Sequence, residues 1–254
     1  MTNGFDQLIL LVVSFLANLF SAFSGGGAGL IQLPLLIFLG LPFSIALATH
    51  KIATVALGIG ATLRHLRQQG LSASFVWLLL GAGMPGVLAG ALVILEIPDR
   101  SAEIALGLLT LGLSVYSVTQ RELGQVAREQ HRDLPGFAIG GSVLFLIGVL
   151  NGSLTSGTGL FVTLWLVRWF GLDYRRAVAY TLVLVGVFWN GTGALTLGVL
   201  SEIHWAWLPA LLAGSLFGGY AGAHLAIAKG NRWIKRAYEV ITLLVGVALI
   251  VGRQ

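Results

Sequence analysis

Long apolar stretches separated by short polar ones dominate this chain. The apolar segments lie at 5–23, 30–39, 43–63, 74–95, 101–119, 136–150, 160–170, 174–198, 205–228 and 233–251. Most of them come close to the roughly 20 residues that a helix needs to cross a bilayer. The pattern therefore predicts a bundle of transmembrane helices.

Two of these segments are too short to cross a bilayer. As helices, 30–39 and 160–170 would each reach only about 16 Å, roughly half the thickness of the hydrocarbon core. Each follows a run of small residues, SGGGAG at 24–29 and NGSLTSGTG at 151–159. Because a glycine inside a helix costs roughly 1 kcal/mol relative to alanine, these runs predict two broken helices.

The two predicted breaks belong to a longer internal repeat. The stretch GLPFSIALA at 40–48 matches GLDYRRAVA at 171–179, and GVLAGA at 86–91 matches GGYAGA at 218–223. We expect the last two stretches to serve close helix packing through their small residues. The chain therefore divides into a first repeat at 1–119, a cytoplasmic linker at 120–135 and a second repeat at 136–254, together one integral membrane domain.

Charge is sparse and unevenly placed. Charged residues make up 10% of the chain and hydrophobic residues 56%, whereas a soluble domain carries about 25% charged residues. Twelve of the 15 Lys and Arg residues fall in four clusters, at 64–67, 121–132, 168–176 and 229–236. The positive-inside rule puts these clusters in the cytoplasm, so the net charge of +5 does not indicate a nucleic-acid partner.

Matching loops of the two repeats differ in charge. The loop at 64–70 is basic, whereas VLSEIH at 199–204 has neither Lys nor Arg. We therefore expect inverted repeats with both termini outside the cytoplasm. The predicted fold class is an all-α polytopic membrane protein, in which each repeat has one Gly-rich broken or short helix and three to four longer transmembrane helices. Inverted repeats with broken helices are a frequent plan of secondary transporters.

Broken helices supply backbone groups that can bind an anion. Non-helical backbone at membrane depth persists only where it is buried in protein or lines a cavity, and the N-terminus of the following half-helix carries a partial positive charge. His50 and Lys51 add ionisable groups about eight residues into the third segment, a depth that usually indicates function. Lys51 could hold the anion and His50 a coupling proton; alternatively, Lys51 snorkels to the interface and His50 bonds a neighbouring carbonyl. The predicted substrate-binding residues are Ser24, Gly25, Gly26, Gly27, Gly29, Gln32, Thr49, His50, Lys51, Asn151, Ser153, Thr155, Ser156, Thr158 and Gly159.

Four stretches carry a family resemblance. They are SGGGAGLIQLPLL at 24–36, GLPFSIALATHK at 40–51, TSGTGL at 155–160 and GLDYRRAVAYT at 171–181. Their order and spacing resemble the TauE/SafE family of sulfite exporters over nearly the whole chain. The resemblance implies a carrier in the inner membrane for small sulfur-containing anions such as sulfite or sulfonates. The second break departs from the glycine-rich form of the first.

These observations favour a secondary transporter that moves a small sulfur-containing anion by alternating access, with ion or proton coupling. An anion channel would use the same site with a continuous pore. An intramembrane serine hydrolase would need a base within reach of a serine, and no G-x-S-G element occurs. With no cysteine and no His residues at ligand spacing, neither a metal nor another cofactor is expected, nor is enzymatic activity. The expected partners are the anion and the lipid bilayer, and a homodimer is one option for assembly.

Overall fold

Helices make up most of the described chain. The computed structural model describes residues 4–65, 70–93, 99–154 and 157–251. In the first half, the helices are α1 Gly4–Ser24, α2 Gly29–Phe38, α3 Phe43–His65, α4 Ala73–Val93 and α5 Asp99–Thr119. In the second half, they are α6 Leu134–Ser153, α7 Thr158–Phe170, α8 Tyr174–Leu200, α9 Leu208–Lys229 and α10 Asn231–Val251. The ten predicted segments are confirmed, with ends that agree within about three residues.

The lengths of these helices fit a membrane protein. Among the described residues, six helices are long and apolar enough to span a bilayer, namely α1, α3, α4, α6, α8 and α9, the last counted from a short turn at Trp205–Trp207. Helices α2 and α7 have only 10 and 13 residues. The described residues thus form helices, with six candidate spans, two short helices and two further helices of 21 residues, α5 and α10, that are not among the candidate spans.

Small residues let the two halves pack helix against helix. All five glycines in GVLAGA and GGYAGA lie against backbone carbonyl oxygens of a neighbouring helix, and an added Cβ would collide with each oxygen. This confirms the packing role predicted for both stretches. In α9, two glycines face α1 and Gly219 faces Leu57 of α3, and in α4 both glycines face α6. The pairs are Gly218 with Phe15, Gly222 with Leu19, Gly86 with Phe145 and Gly90 with Val149.

Helices α4 and α8 each contain a π-helical segment, a form that is frequent at functional sites. The segments are Leu79–Gly83 in α4 and Thr181–Trp189 in α8. Trp189 joins them, because its buried indole Nε1 donates a hydrogen bond to the carbonyl oxygen of Leu79 at 2.9 Å. Gly83 leaves the space that this indole fills. Helix α8 then crosses α3 closely, and an added Cβ on Gly186 would lie 2.9 Å from Gly58 Cα.

Candidate functional site

The two helix breaks touch each other in the interior. Gly25, Gly26 and Gly27 follow α1 with φ angles of 91°, 146° and 102°, which favour glycine. An added Cβ on Gly26 would lie 2.6 Å from the carbonyl carbon of Gly159, which belongs to the first turn of α7. Thr163 adds a hydrogen bond, since its Oγ1 donates to the carbonyl oxygen of Gly25 at 2.8 Å. The breaks are thus two parts of one structure.

A small cavity lies where these breaks meet α3 and α8. Its volume is about 40 Å³, room for a few water-sized groups. Seven of the predicted site residues line it, namely Gly26, Gly27, Gly29, His50, Asn151, Thr158 and Gly159. The remaining lining residues are Ser21, Ala28, Thr54, Leu57, Thr181, Leu182, Val185, Gly186 and Asn190.

Lys51 is buried beside this cavity. Its side chain is 0% exposed, so the snorkelling alternative is wrong. Its Nζ donates hydrogen bonds to the backbone oxygen of Asn151 at 2.6 Å, to Asn151 Oδ1 at 2.8 Å and to Asn190 Oδ1 at 3.5 Å. These acceptors are uncharged, and the ion pairs found among the described residues do not involve Lys51. Lys51 therefore stands behind the two asparagines that line the cavity, rather than on its wall.

Asn151 is oriented between the cation and the second break. Its Oδ1 faces Lys51, and its Nδ2 donates to Thr158 Oγ1 at 2.8 Å. Thr158 is the first residue of α7, so the asparagine ties the end of α6 to the start of the following half-helix. A positive charge on Lys51 polarises this amide towards the cavity.

His50 bonds a carbonyl oxygen, as its alternative role requires. Its Nδ1 lies 2.7 Å from Gln32 Oε1, the oxygen of a side-chain amide. Gln32 is fully buried and does not line the cavity, whereas His50 does. Gln32 therefore positions His50 instead of meeting a ligand itself.

Several predicted site residues have other hydrogen-bond partners. Ser24 Oγ donates to the carbonyl oxygen of Phe20 at 2.9 Å, and Ser153 Oγ donates to that of Val149 at 2.9 Å. Thr49 Oγ1 accepts from the backbone N–H of His204 at 3.0 Å. These three residues, together with Gly25, do not line the cavity.

The second break is shorter than predicted. Helix α6 continues to Ser153, so Asn151 and Ser153 lie in its last turn and not in irregular backbone. Helix α7 then begins at Thr158, which leaves only 154–157 between the helices. The predicted site residues Thr155 and Ser156 lie outside the described residues.

Sequence reasoning missed part of the site on α8. Asn190 and Thr181 line the cavity, although neither is among the predicted substrate-binding residues. The internal repeat pointed to Thr181, which occupies the position of His50 in the second copy. Thr163 and Thr181 share a hydrogen bond at 2.9 Å, just as Gln32 and His50 do. Both pairs are separated by 18 residues.

Comparison with known proteins identifies the family. The sulfite exporter TauE/SafE family matches residues 10–249. A probable membrane transporter protein of Haemophilus influenzae is 28% identical over 98% of this chain and 97% of its own length. The probable membrane transporter protein YfcA of Escherichia coli K12 is 26% identical over 95% of this chain and 88% of its own length. YunE of Bacillus subtilis, another probable membrane transporter protein, is 21% identical over 96% of this chain and 97% of its own length.

No solved structure matches this chain. The family match covers nearly the whole sequence, and it agrees with the six candidate spans and with the motifs around the two breaks. The chain therefore belongs to the TauE/SafE family of sulfite exporters and is a membrane transporter.

Proposed function

We propose that this transporter moves a small sulfur-containing anion, such as sulfite or a sulfonate, through the cavity between the two helix breaks. The observation that carries the proposal is Lys51, a fully buried cation whose acceptors are neutral oxygens. A buried charge without a counter-charge is costly, and ionisable residues inside a membrane usually mark a transport path. An anion in the cavity would supply the missing negative charge.

The cavity wall suits an anion because it offers donors without carboxylates. Helices α2 and α7 both begin there, at Gly29 and Thr158. The first N–H groups of a helix lack intrahelical acceptors and carry a partial positive charge, which favours anions. The amides of Asn151 and Asn190 also line the cavity.

Alternating access between inverted repeats is the mechanism that we infer for this movement. The duplicated glycine contacts support it, since α9 packs on α1 in the same way as α4 packs on α6. Two halves that exchange equivalent contacts can rock about a shared central site. The distribution of basic clusters favours an inner-membrane orientation with both termini outside the cytoplasm.

Transport in proteoliposomes tests the proposed site. The change Lys51→Met keeps the length of the side chain and removes its charge, and we expect uptake of radiolabelled sulfite or thiosulfate to fall at least about tenfold, equivalent to about 1.4 kcal/mol. Lys229→Met is the matched control, because Lys229 is exposed at the end of α9. Wild-type uptake by the Lys51→Met protein would refute the site. Single-channel currents in planar bilayers would refute alternating access and indicate conduction through a pore.

A further inference from the structure

A chain of buried hydrogen bonds leads from His50 into the interface between α1 and α9. His50 Nδ1 pairs with Gln32 Oε1 at 2.7 Å, and Gln32 Nε2 donates to Ser14 Oγ at 2.8 Å. Ser14 Oγ in turn donates to the backbone oxygen of Leu211 at 2.8 Å. His50, Gln32 and Ser14 are all at most 1% exposed.

The donors and acceptors in this series of hydrogen bonds determine the tautomer of His50. Ser14 has one hydroxyl hydrogen, for which the Leu211 carbonyl at 2.8 Å and Ser215 Oγ at 3.0 Å are the acceptors, so its oxygen accepts from Gln32. Gln32 then presents its amide NH₂ to Ser14 and its oxygen to His50. An amide oxygen only accepts hydrogen bonds, so Nδ1 of His50 carries the proton. In the neutral ring, the lone pair is therefore on Nε2.

The other nitrogen of His50 remains available to a ligand. His50 lines the cavity, and the hydrogen bonds found among the described residues engage Nδ1 of its ring and not Nε2. A lone pair at this position repels the oxygens of an anion, whereas a protonated Nε2 donates a hydrogen bond to one of them. The cavity thus changes from disfavouring to favouring an anion when one proton binds.

The surroundings of His50 couple this proton to the anion. Lys51, the next residue on α3, is a second ionisable side chain that is fully buried. Its hydrogen-bond partner Gln32 is neutral, and so are the residues that bond Gln32, Ser14 and Ser215. The polar residues that line the cavity with His50 are neutral as well, namely Ser21, Thr54, Asn151, Thr158, Thr181 and Asn190. Two buried cations at neighbouring positions repel each other, and an anion in the adjacent cavity offsets this repulsion.

We propose that the anion enters the cavity together with one proton, which His50 binds at Nε2. The proton comes from the aqueous solution on the side to which the cavity is open, and it leaves with the anion on the other side. No covalent bond to the anion forms. The inference rests on the proposed function and makes the protein a proton–anion symporter.

Isothermal titration calorimetry measures this proton directly. Thiosulfate is the probe, because it stays fully ionised near neutral pH and brings no proton of its own. The apparent heat of binding is compared in buffers that differ in ionisation heat, and the slope gives the protons taken up per anion. For the full-length wild-type protein in detergent we expect a slope of about one, and an affinity that rises about tenfold for each unit by which pH falls, as one-proton linkage requires.

Two variants separate His50 from other histidines. His50→Gln supplies an amide N–H that does not titrate, so thiosulfate should still bind while the proton slope falls to zero. His204→Gln is the matched control: the backbone N–H of His204 donates to Thr49, and its ring packs against Trp207 away from the cavity. The control should keep the wild-type slope.

The outcomes distinguish this inference from the proposed function. Thiosulfate binding to the wild type with a slope of zero overturns the proton inference and leaves the anion site standing. An unchanged slope in His50→Gln overturns the assignment to His50. If neither thiosulfate, sulfite nor sulfate binds to the wild type, the proposed function fails and the inference fails with it. If His50→Gln does not fold, the slope measured for the wild type still tests whether a proton binds with the anion.

Discussion

Gly26 is the residue on which the contact between the two breaks depends most directly. Its φ of 146° lies in a region that side chains rarely adopt, and an added Cβ would lie 2.6 Å from both Gly159 C and Leu160 N. Both neighbours are backbone atoms, which cannot rotate away as the end of a side chain can. We therefore predict that Gly26→Ala strains the first break and pushes the second one aside.

The cost has two parts that can be estimated separately. Holding a residue with a side chain in a sparsely populated backbone conformation costs about 1–3 kcal/mol. Forcing an extra carbon into a packed interior costs about 1–3 kcal/mol more. The sum of about 2–6 kcal/mol corresponds to a fall in Tm on the order of 10 °C for a chain of this size.

Two further glycines separate these parts. Gly40→Ala carries only the backbone strain, because Gly40 has a φ of 98° and open space around its Cβ position. Gly159→Ala carries only the close contact, since an added Cβ would lie 3.0 Å from Gly26 Cα and the φ of Gly159 is not in the unusual region. We expect each change to cost less than Gly26→Ala, at about 1–3 kcal/mol.

Thermal unfolding of the purified proteins in detergent provides the assay. The seven tryptophans supply an intrinsic fluorescence signal, and the same preparations can be tested for anion uptake in proteoliposomes. Gly26→Ala should unfold earliest and lose uptake, because its backbone lines the cavity. If Gly26→Ala unfolds no earlier than Gly40→Ala, the close approach of the two breaks is not a feature of the protein in its membrane.

Three other changes test the packing and the cavity wall. Gly222→Leu should lower Tm by the equivalent of about 3 kcal/mol or more, because its side chain would enter the backbone of α1 at Leu19; an unchanged Tm would contradict the α1–α9 contact. Trp189→Phe removes the indole N–H that bonds the Leu79 carbonyl, and we expect a loss of about 1 kcal/mol in the same melting assay, with no loss if that bond is absent. Asn190→Leu removes an amide from the cavity wall, so anion uptake should fall while Tm changes little; normal uptake would exclude Asn190 from the site.

The sequence by itself determined the helices, the two breaks and the family. These follow from local properties, since hydropathy over about 20 residues and runs of glycine act within one segment. The roles of the packing glycines could also be predicted, because their spacing of four places them on one helix face. The same local reasoning placed the second break three residues too early, as Ser153 bonds back to Val149 and stays helical.

Only the tertiary structure decided which of the candidate residues form the site. Lys51 donates a hydrogen bond to Asn151, which lies 100 residues further along the chain, and no local pattern predicts that pairing. Thr49 was a reasonable candidate from its place beside His50, yet its hydroxyl is taken by the backbone of His204. Helical periodicity predicts the face on which a side chain lies, but the neighbour on that face depends on how the helices cross. For this reason the sequence predicts the two breaks but not their contact. The packing of Gly26 on Gly159 brings the breaks together around one cavity.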